Sequence, residues 1–272
     1  MEPLTATVRG IRIGYREAGN PDGEPLVLLH GFTGSSASWT GLAGEFGSYR
    51  LIMPDLTGHG KTEAPETADR YAMKEQVADL DALFIRLGLD HFSLLGYSMG
   101  GRIAIGYAAA HPEKISRLVL ESTSPGLRTQ EERRLRRESD EKLAAFIERE
   151  GIRAFTDRWE NIPLFASQKQ LPETVRERVR SGRLGNDPAG LAGSLRGVGT
   201  GYQPSYWDTL EQFGMPVTLI TGELDEKYVN IAGDMARLLP EVDHVTVPDA
   251  GHTVHVENPA RFATIVRKAL KP

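Results

Sequence analysis

Short runs of consecutive apolar residues, separated by longer stretches with helical spacing, set the fold of this chain. Leu26-Val27-Leu28-Leu29 is such a run, and Phe92-Ser93-Leu94-Leu95 is a largely apolar stretch broken only by Ser93. A strand with one face in water alternates apolar and polar residues, whereas a continuous run has both faces covered. Strands are read at 7–16, 24–29, 50–53, 91–95 and 117–120. Between them, 73–87 places apolar residues at 73, 77, 80, 83, 84 and 87, which is helical spacing. Strands alternating with helices predict βαβ units and a mostly parallel sheet flanked by helices, an α/β fold.

The rhythm stops between 126 and 206 and returns afterwards, with strands at 216–221 and 244–247 and helices at 229–239 and 258–270. The interruption holds a long charged helix from Thr129, with Glu132 three residues on as a capping box, closing at Gly151. Short helical pieces and a Gly-rich stretch, 191–201, follow. The expected organisation is a core of 1–125 and 207–272 with an inserted helical cap at 126–206.

Composition narrows the function classes. The 272 residues include no cysteine, which excludes disulfides, thiolate nucleophiles and cysteine metal sites. Lys plus Arg is 32 against 37 Asp plus Glu, a net charge of −5. That balance argues against a nucleic-acid partner, which calls for a basic face. The longest apolar runs fall far short of a membrane span, and the first residues lack the apolar core of a secretory signal. A cytoplasmic protein without a membrane partner, monomeric by default, is expected.

The chemistry concentrates at Gly96-Tyr97-Ser98-Met99-Gly100. This G-x-S-x-G pattern lies between an apolar strand and an Ala/Ile-rich helix, the context in which a tight turn exposes a serine hydroxyl above a helix N-terminus. A serine hydroxyl needs a base, and the base an orienting acid. Late strands end in Gly222-Glu223-Leu224-Asp225 and Asp249-Ala250-Gly251-His252. Asp225 is the preferred acid over Glu223, Asp249 and Glu257, and His252 is the base. The remaining histidines read as structural or solvated. After the first long core strand, His30-Gly31-Phe32 can turn the Phe32 amide toward Ser98, making an oxyanion hole with the Met99 amide. No metal-ligand pattern stands out: H-E-x-x-H is absent, and His252 and His255 lack a third ligand. Gly58-His59-Gly60-Lys61-Thr62 ends like a phosphate loop, but Asp55 stands where its first glycine belongs. No cofactor is expected.

Further motifs carry a narrower resemblance. They are Gly100-Gly101-Arg102, Ser124-Pro125-Gly126-Leu127 leading to Arg137-Glu138-Ser139-Asp140, Trp159 before Pro163-Leu164-Phe165-Ala166-Ser167, and Asp225-Glu226-Lys227-Tyr228. With the serine motif and Ala250-Gly251-His252, they make the chain resemble the α/β-hydrolase fold from end to end. Within that fold they resemble the 2-succinyl-6-hydroxy-2,4-cyclohexadiene-1-carboxylate synthases of menaquinone biosynthesis. The resemblance implies a lyase that removes a proton from an enolpyruvyl-cyclohexene tricarboxylate and releases pyruvate, with Ser98 acting as a base rather than as a carbon nucleophile.

A tricarboxylate calls for guanidinium groups, whose paired N–H donors match carboxylates. Arg102 lies one helical turn beyond Ser98. The cap offers Arg133, Arg134, Arg136 and Arg137, then Arg176, Arg178, Arg180 and Arg183. Neighbouring Glu131, Glu132, Glu138 and Glu141 make surface pairing the competing explanation for most of them. The resemblance singles out Arg136 and Arg183, keeps Arg133, and leaves Arg180 as the alternative to Arg183. Tyr97 beside the serine, Trp159 as a pocket wall or cap-core residue, and Lys227 near the rim complete the candidate substrate contacts. A serine hydrolase of esters or carbon–carbon bonds in an anionic substrate such as a diketone, and a ligand receptor on a hydrolase scaffold, are the competing functions.

Overall fold

The computed structural model describes residues 1–271. Eight strands form one sheet: β1 (Leu4–Val8), β2 (Ile11–Gly19), β3 (Pro25–Leu29), β4 (Arg50–Pro54), β5 (Phe92–Tyr97), β6 (Ile115–Glu121), β7 (Val217–Gly222) and β8 (Val242–Val247). Their order is β1-β2-β4-β3-β5-β6-β7-β8. β1 and β2 pair antiparallel, as do β2 and β4, and every other pairing is parallel.

The single strand expected at 7–16 is instead part of a hairpin. Arg9 and Gly10 both take positive φ, 45° and 77°, which reverses the chain between β1 and β2. Two successive left-handed residues match the natural strand twist in a two-residue turn. The Arg-Gly dipeptide was the only local sign of this break.

Successive residues of the central strands point to opposite faces and feed two cores. Val27, Leu29, Leu94, Leu118 and Leu120 pack with α1 (Met73–Arg86) and α2 (Met99–Ala110). Leu26, Leu28, Leu95, Val119 and Ile220 pack on the other face with Trp39 and Phe46. Full burial of each such leucine or valine stabilises by about 1.5–3 kcal/mol, which favours apolar residues on both faces of these strands.

Between β6 and β7 the chain is helical: α3 (Gln130–Trp159), a 3-10 segment (Pro163–Gln170), α4 (Glu173–Leu184) and α5 (Pro188–Val198). Thr129 and Glu132 form the reciprocal capping box at the start of α3. Gly151 takes φ 78° and ψ 176°, kinking the element, and helix resumes to Trp159. The Gly-rich stretch is mostly helix too. In α5, Gly190 and Gly193 bring the helix backbone onto Gly58 and the Tyr71 ring, where a Cβ at either position would clash. Ala144, Ile147, Phe155, Leu191, Ala192 and Leu195 are the buried centre of this helical region. After β7 come α6 (Glu226–Ala236), then α7 (Val254–Glu257) and α8 (Pro259–Ala269) beyond β8. Among the described residues no helix is long and apolar enough to cross a membrane.

Candidate active site

The turn between β5 and α2 forces Ser98 into φ 50° and ψ −108°. A non-glycine residue there is strained, and the surroundings must hold it. The Ser98 amide donates to the Glu121 carbonyl at 2.9 Å, and its carbonyl accepts from the Thr123 hydroxyl at 2.8 Å. Gly100 makes the turn possible, because a Cβ there would run into the Leu29 and His30 carbonyl oxygens.

Two loops from the same sheet edge reach Ser98. His252 Nε2 lies 3.0 Å from Ser98 Oγ, and His252 Nδ1 lies 2.6 Å from Asp225 Oδ2. Asp225 follows β7 and His252 follows β8, and both side chains are buried. Nδ1–H donating to Asp225 leaves Nε2 free to accept the serine proton. Glu257 braces the His252 loop, since its carboxylate accepts from the amides of Gly251 at 2.7 Å and Thr253 at 3.1 Å. Its role as a competing acid is thereby excluded on position: it grips backbone, while Asp225 grips the imidazole.

The Gly31–Phe32 loop lies against this group. A Cβ on Gly31 would sit 3.5 Å from Ser98 Cβ and would clash with the Tyr97 ring. His30 fastens the loop: Nδ1–H donates to the Gly31 carbonyl at 2.8 Å, and Nε2 accepts from the Leu56 amide at 3.0 Å. Burial pushes the His30 pKa down, which suits this neutral tautomer. Met99 opens α2, so its amide has no intrahelical acceptor. Gly31 thus brings the loop that carries Phe32 against Ser98, and the Met99 amide stands without an intrahelical partner at the start of α2.

The arginines sort by their partners. Arg134 is spent on Glu131 and Glu138, and Arg180 on Asp157 and Glu160. Arg102 donates instead to two neutral acceptors, the Val198 carbonyl at 2.6 Å and Gln203 Oε1 at 2.5 Å. Burial lowers its pKa to about 10, so it keeps its charge at neutral pH. Arg183 is buried, donates to Gln168 Oε1 at 3.2 Å and lies 4.7 Å from the Phe165 ring centroid. Neither Arg102 nor Arg183 forms an ion pair among the described residues. Arg136 pairs with Asp140 at 2.7 Å, and burial raises the Asp140 pKa despite that partner. Arg133 keeps a buried Nε without an acceptor among the described residues.

The chain matches the alpha/beta hydrolase fold family over residues 24–259. It is 33% identical to the 2-succinyl-6-hydroxy-2,4-cyclohexadiene-1-carboxylate synthase of Enterobacter sp. (strain 638), across 95% of this chain and 96% of that one. A Bacillus subtilis (strain 168) protein that bears the same name provisionally is 51% identical, across 96% of this chain and 95% of its own length. The solved structure of MenH from S. aureus superposes with a TM-score of 0.89 at 36% identity, covering 95% of this chain and 97% of that one. The chain belongs to this synthase family.

In this member of the family, the structure brings Ser98, His252, Asp225 and Tyr97 together, with Met99 following the serine and Gly31, next to Phe32, packed against Ser98 and Tyr97. The Tyr97 hydroxyl is 3.1 Å from Thr253 Oγ1, and its ring faces His252. Trp159 stacks on Phe155 and meets Phe32 and Phe165 edge-on, so it joins the helical segment between β6 and β7 to the loop that carries Phe32. Lys227 is exposed, with Nζ 5.4 Å from the Tyr228 ring centroid, and it lines a cavity of about 500 Å³ that also touches Asp225 and His252.

Three contributors were not singled out from sequence. Tyr228 packs its ring 4.7 Å from the His252 ring, near Arg102 and Arg136. Its only sequence signal is its place three residues after the acid, in the first turn of α6. Gln168 and Thr253 form a buried bond of 2.8 Å beside the base. Adjacency to His252 marks Thr253, but nothing local marks Gln168.

Proposed function

We propose that this chain converts 2-succinyl-5-enolpyruvyl-6-hydroxy-3-cyclohexene-1-carboxylate to 2-succinyl-6-hydroxy-2,4-cyclohexadiene-1-carboxylate and pyruvate, as a cytoplasmic lyase of menaquinone biosynthesis. The two names fix the bond changes. The ring loses its C2 proton, the C3=C4 pair moves, and the C5–O bond to the enolpyruvyl group breaks. C2 lies next to the succinyl ketone, so its proton becomes acidic once the ketone oxygen is stabilised as an enolate. The Phe32 and Met99 amides supply that stabilisation. Ser98 Oγ takes the C2 proton while passing its own to His252 Nε2, and Asp225 stabilises the imidazolium. The C2–H electron pair becomes C2=C3, the former C3=C4 pair becomes C4=C5, and the enolpyruvate oxygen leaves with the C5–O pair. The departing enolpyruvate is protonated on carbon to pyruvate, which returns the imidazole to its neutral form. No carbon–oxygen bond to Ser98 forms.

One observation carries this reading beyond generic hydrolase chemistry. A serine relayed to His252 and Asp225 lies in a fold that also keeps two largely buried guanidinium groups, Arg102 and Arg183, free of carboxylate partners. Burying an uncompensated cation is costly, and a polyanionic substrate supplies the missing charge. A hydrolase of neutral esters has no use for that arrangement, and pyruvate release separates the lyase from a hydrolase of an anionic substrate. The reading is tested by incubating the protein with the enolpyruvyl substrate and following pyruvate with a lactate dehydrogenase couple. Stoichiometric pyruvate is expected. Hydrolysis of simple esters with no pyruvate release would favour the hydrolase alternative.

A further inference from the structure

A buried chain of hydrogen bonds links the helical insert to the residue that follows the base. Arg183 of α4 donates to Gln168 Oε1 at 3.2 Å, Gln168 Nε2 donates to Thr253 Oγ1 at 2.8 Å, and that oxygen also meets the Tyr97 hydroxyl at 3.1 Å. Gln168, Arg183 and Thr253 are 8%, 6% and 5% exposed, so these bonds are shielded from competing water. Gln168 uses both ends of its amide, the oxygen toward the arginine and the nitrogen toward the His252 loop. It is the only hydrogen-bond partner of the Arg183 guanidinium among the described residues.

The identity of the side chain matters. A carboxylate at this position would neutralise Arg183, as Asp157 and Glu160 do for Arg180 one turn earlier. An apolar residue would leave a buried Arg183 N–H unmet and the Thr253 hydroxyl with Tyr97 as its one remaining partner among the described residues. A neutral amide orients the guanidinium and leaves its charge available. Arg183, Gln168 and Phe165 also line a cavity of about 410 Å³ between the 163–170 segment and α4.

We propose that Gln168 is a positioning residue for the tricarboxylate reaction: it aims the Arg183 guanidinium at a substrate carboxylate and ties that arginine to the loop carrying His252. This rests on the reading of Arg183 as a carboxylate ligand, so the test separates the two. Wild type, Gln168→Leu, Arg183→Ala and the double variant are compared by steady-state pyruvate release, with thermal melting as a check on folding. Gln168→Leu is expected to raise KM about tenfold with kcat within about twofold, the size expected when a hydrogen bond to a charged group is lost. The double variant is expected to match Arg183→Ala, because Gln168 acts through that arginine. Gln168→Glu, nearly the same shape, is expected to raise KM further by pairing with Arg183. It carries the test if the leucine variant does not fold.

An unchanged KM in both Gln168 variants, or losses that add in the double variant, overturns the proposal. Arg183→Ala with a wild-type KM would remove Arg183 as a ligand and the proposal with it. Absence of pyruvate from the wild type itself would instead bring down the assigned reaction, on which the proposal depends.

Discussion

Replacing Arg102 with methionine isolates the charge that the pocket offers its substrate. Methionine retains an unbranched stem to fill the space, and removes the fork of N–H donors. In the free protein that fork holds the Val198 carbonyl and Gln203 Oε1 at 2.6 and 2.5 Å, both neutral acceptors. Their loss costs the fold about 1–3 kcal/mol per unmet buried acceptor, offset by no longer burying a cation. Opposing terms of similar size predict a melting temperature shifted by only a few degrees. Binding has no such offset. A guanidinium–carboxylate fork of two charge-assisted hydrogen bonds contributes about 3 kcal/mol, so KM should rise roughly 100-fold. The Ser98–His252–Asp225 geometry is untouched, so kcat should stay within about fivefold. Pyruvate release measured over a wide substrate range, beside a melting curve, reads both parameters. A KM near that of the wild type, or a collapse of kcat with KM unchanged, would refute the assignment of Arg102 to substrate binding.

Two further outcomes follow from the same geometry. Asp225→Asn replaces the acceptor 2.6 Å from His252 Nδ1 with an amide that favours the wrong tautomer, so kcat should fall about 10⁴-fold, as in serine proteases, with little change in melting temperature. Activity within tenfold of wild type would remove Asp225 from the relay. His59 is fully buried, and burial, reinforced by neighbouring His30, lowers its pKa to about 3. The unfolded chain therefore takes up a proton below pH 6.5 that the folded chain refuses. Stability from this group is complete above pH 6.5 and falls by about 1.4 kcal/mol per pH unit down to about pH 3. His30, also lowered by burial, acts in the same direction. Urea midpoints between pH 7 and 4.5 should fall less steeply for His59→Gln than for wild type, and parallel curves would contradict this.

The catalytic loops were legible because the sequence marks them locally. Each lies where an apolar run ends, and the glycines around Ser98 and before His252 sit where the chain must turn tightly. The β1–β2 hairpin was harder to read because its turn consists of two residues, Arg9 and Gly10, inside an otherwise strand-like stretch. The helix at 188–198 was obscured for a different reason. Its glycines lower helix propensity, and packing against Gly58 and Tyr71 overrides that preference. The arginines resisted reading most. Arg180 and Arg183 look alike in sequence and lie on the same helix, yet Asp157 and Glu160 claim one while neutral Gln168 meets the other. Those partners are 15 to 23 residues away, on elements whose approach no local pattern records.

The role of Ser98 as a base that never bonds to carbon is the claim on which the mechanism stands. A single-turnover reaction of wild type and Ser98→Ala with the enolpyruvyl substrate, following pyruvate and the intact protein mass together, tests it directly. The account predicts one pyruvate per wild-type molecule with no adduct at any time, and no pyruvate burst from the alanine variant. A transient mass increase on the wild type, or a full burst without the serine hydroxyl, would contradict it.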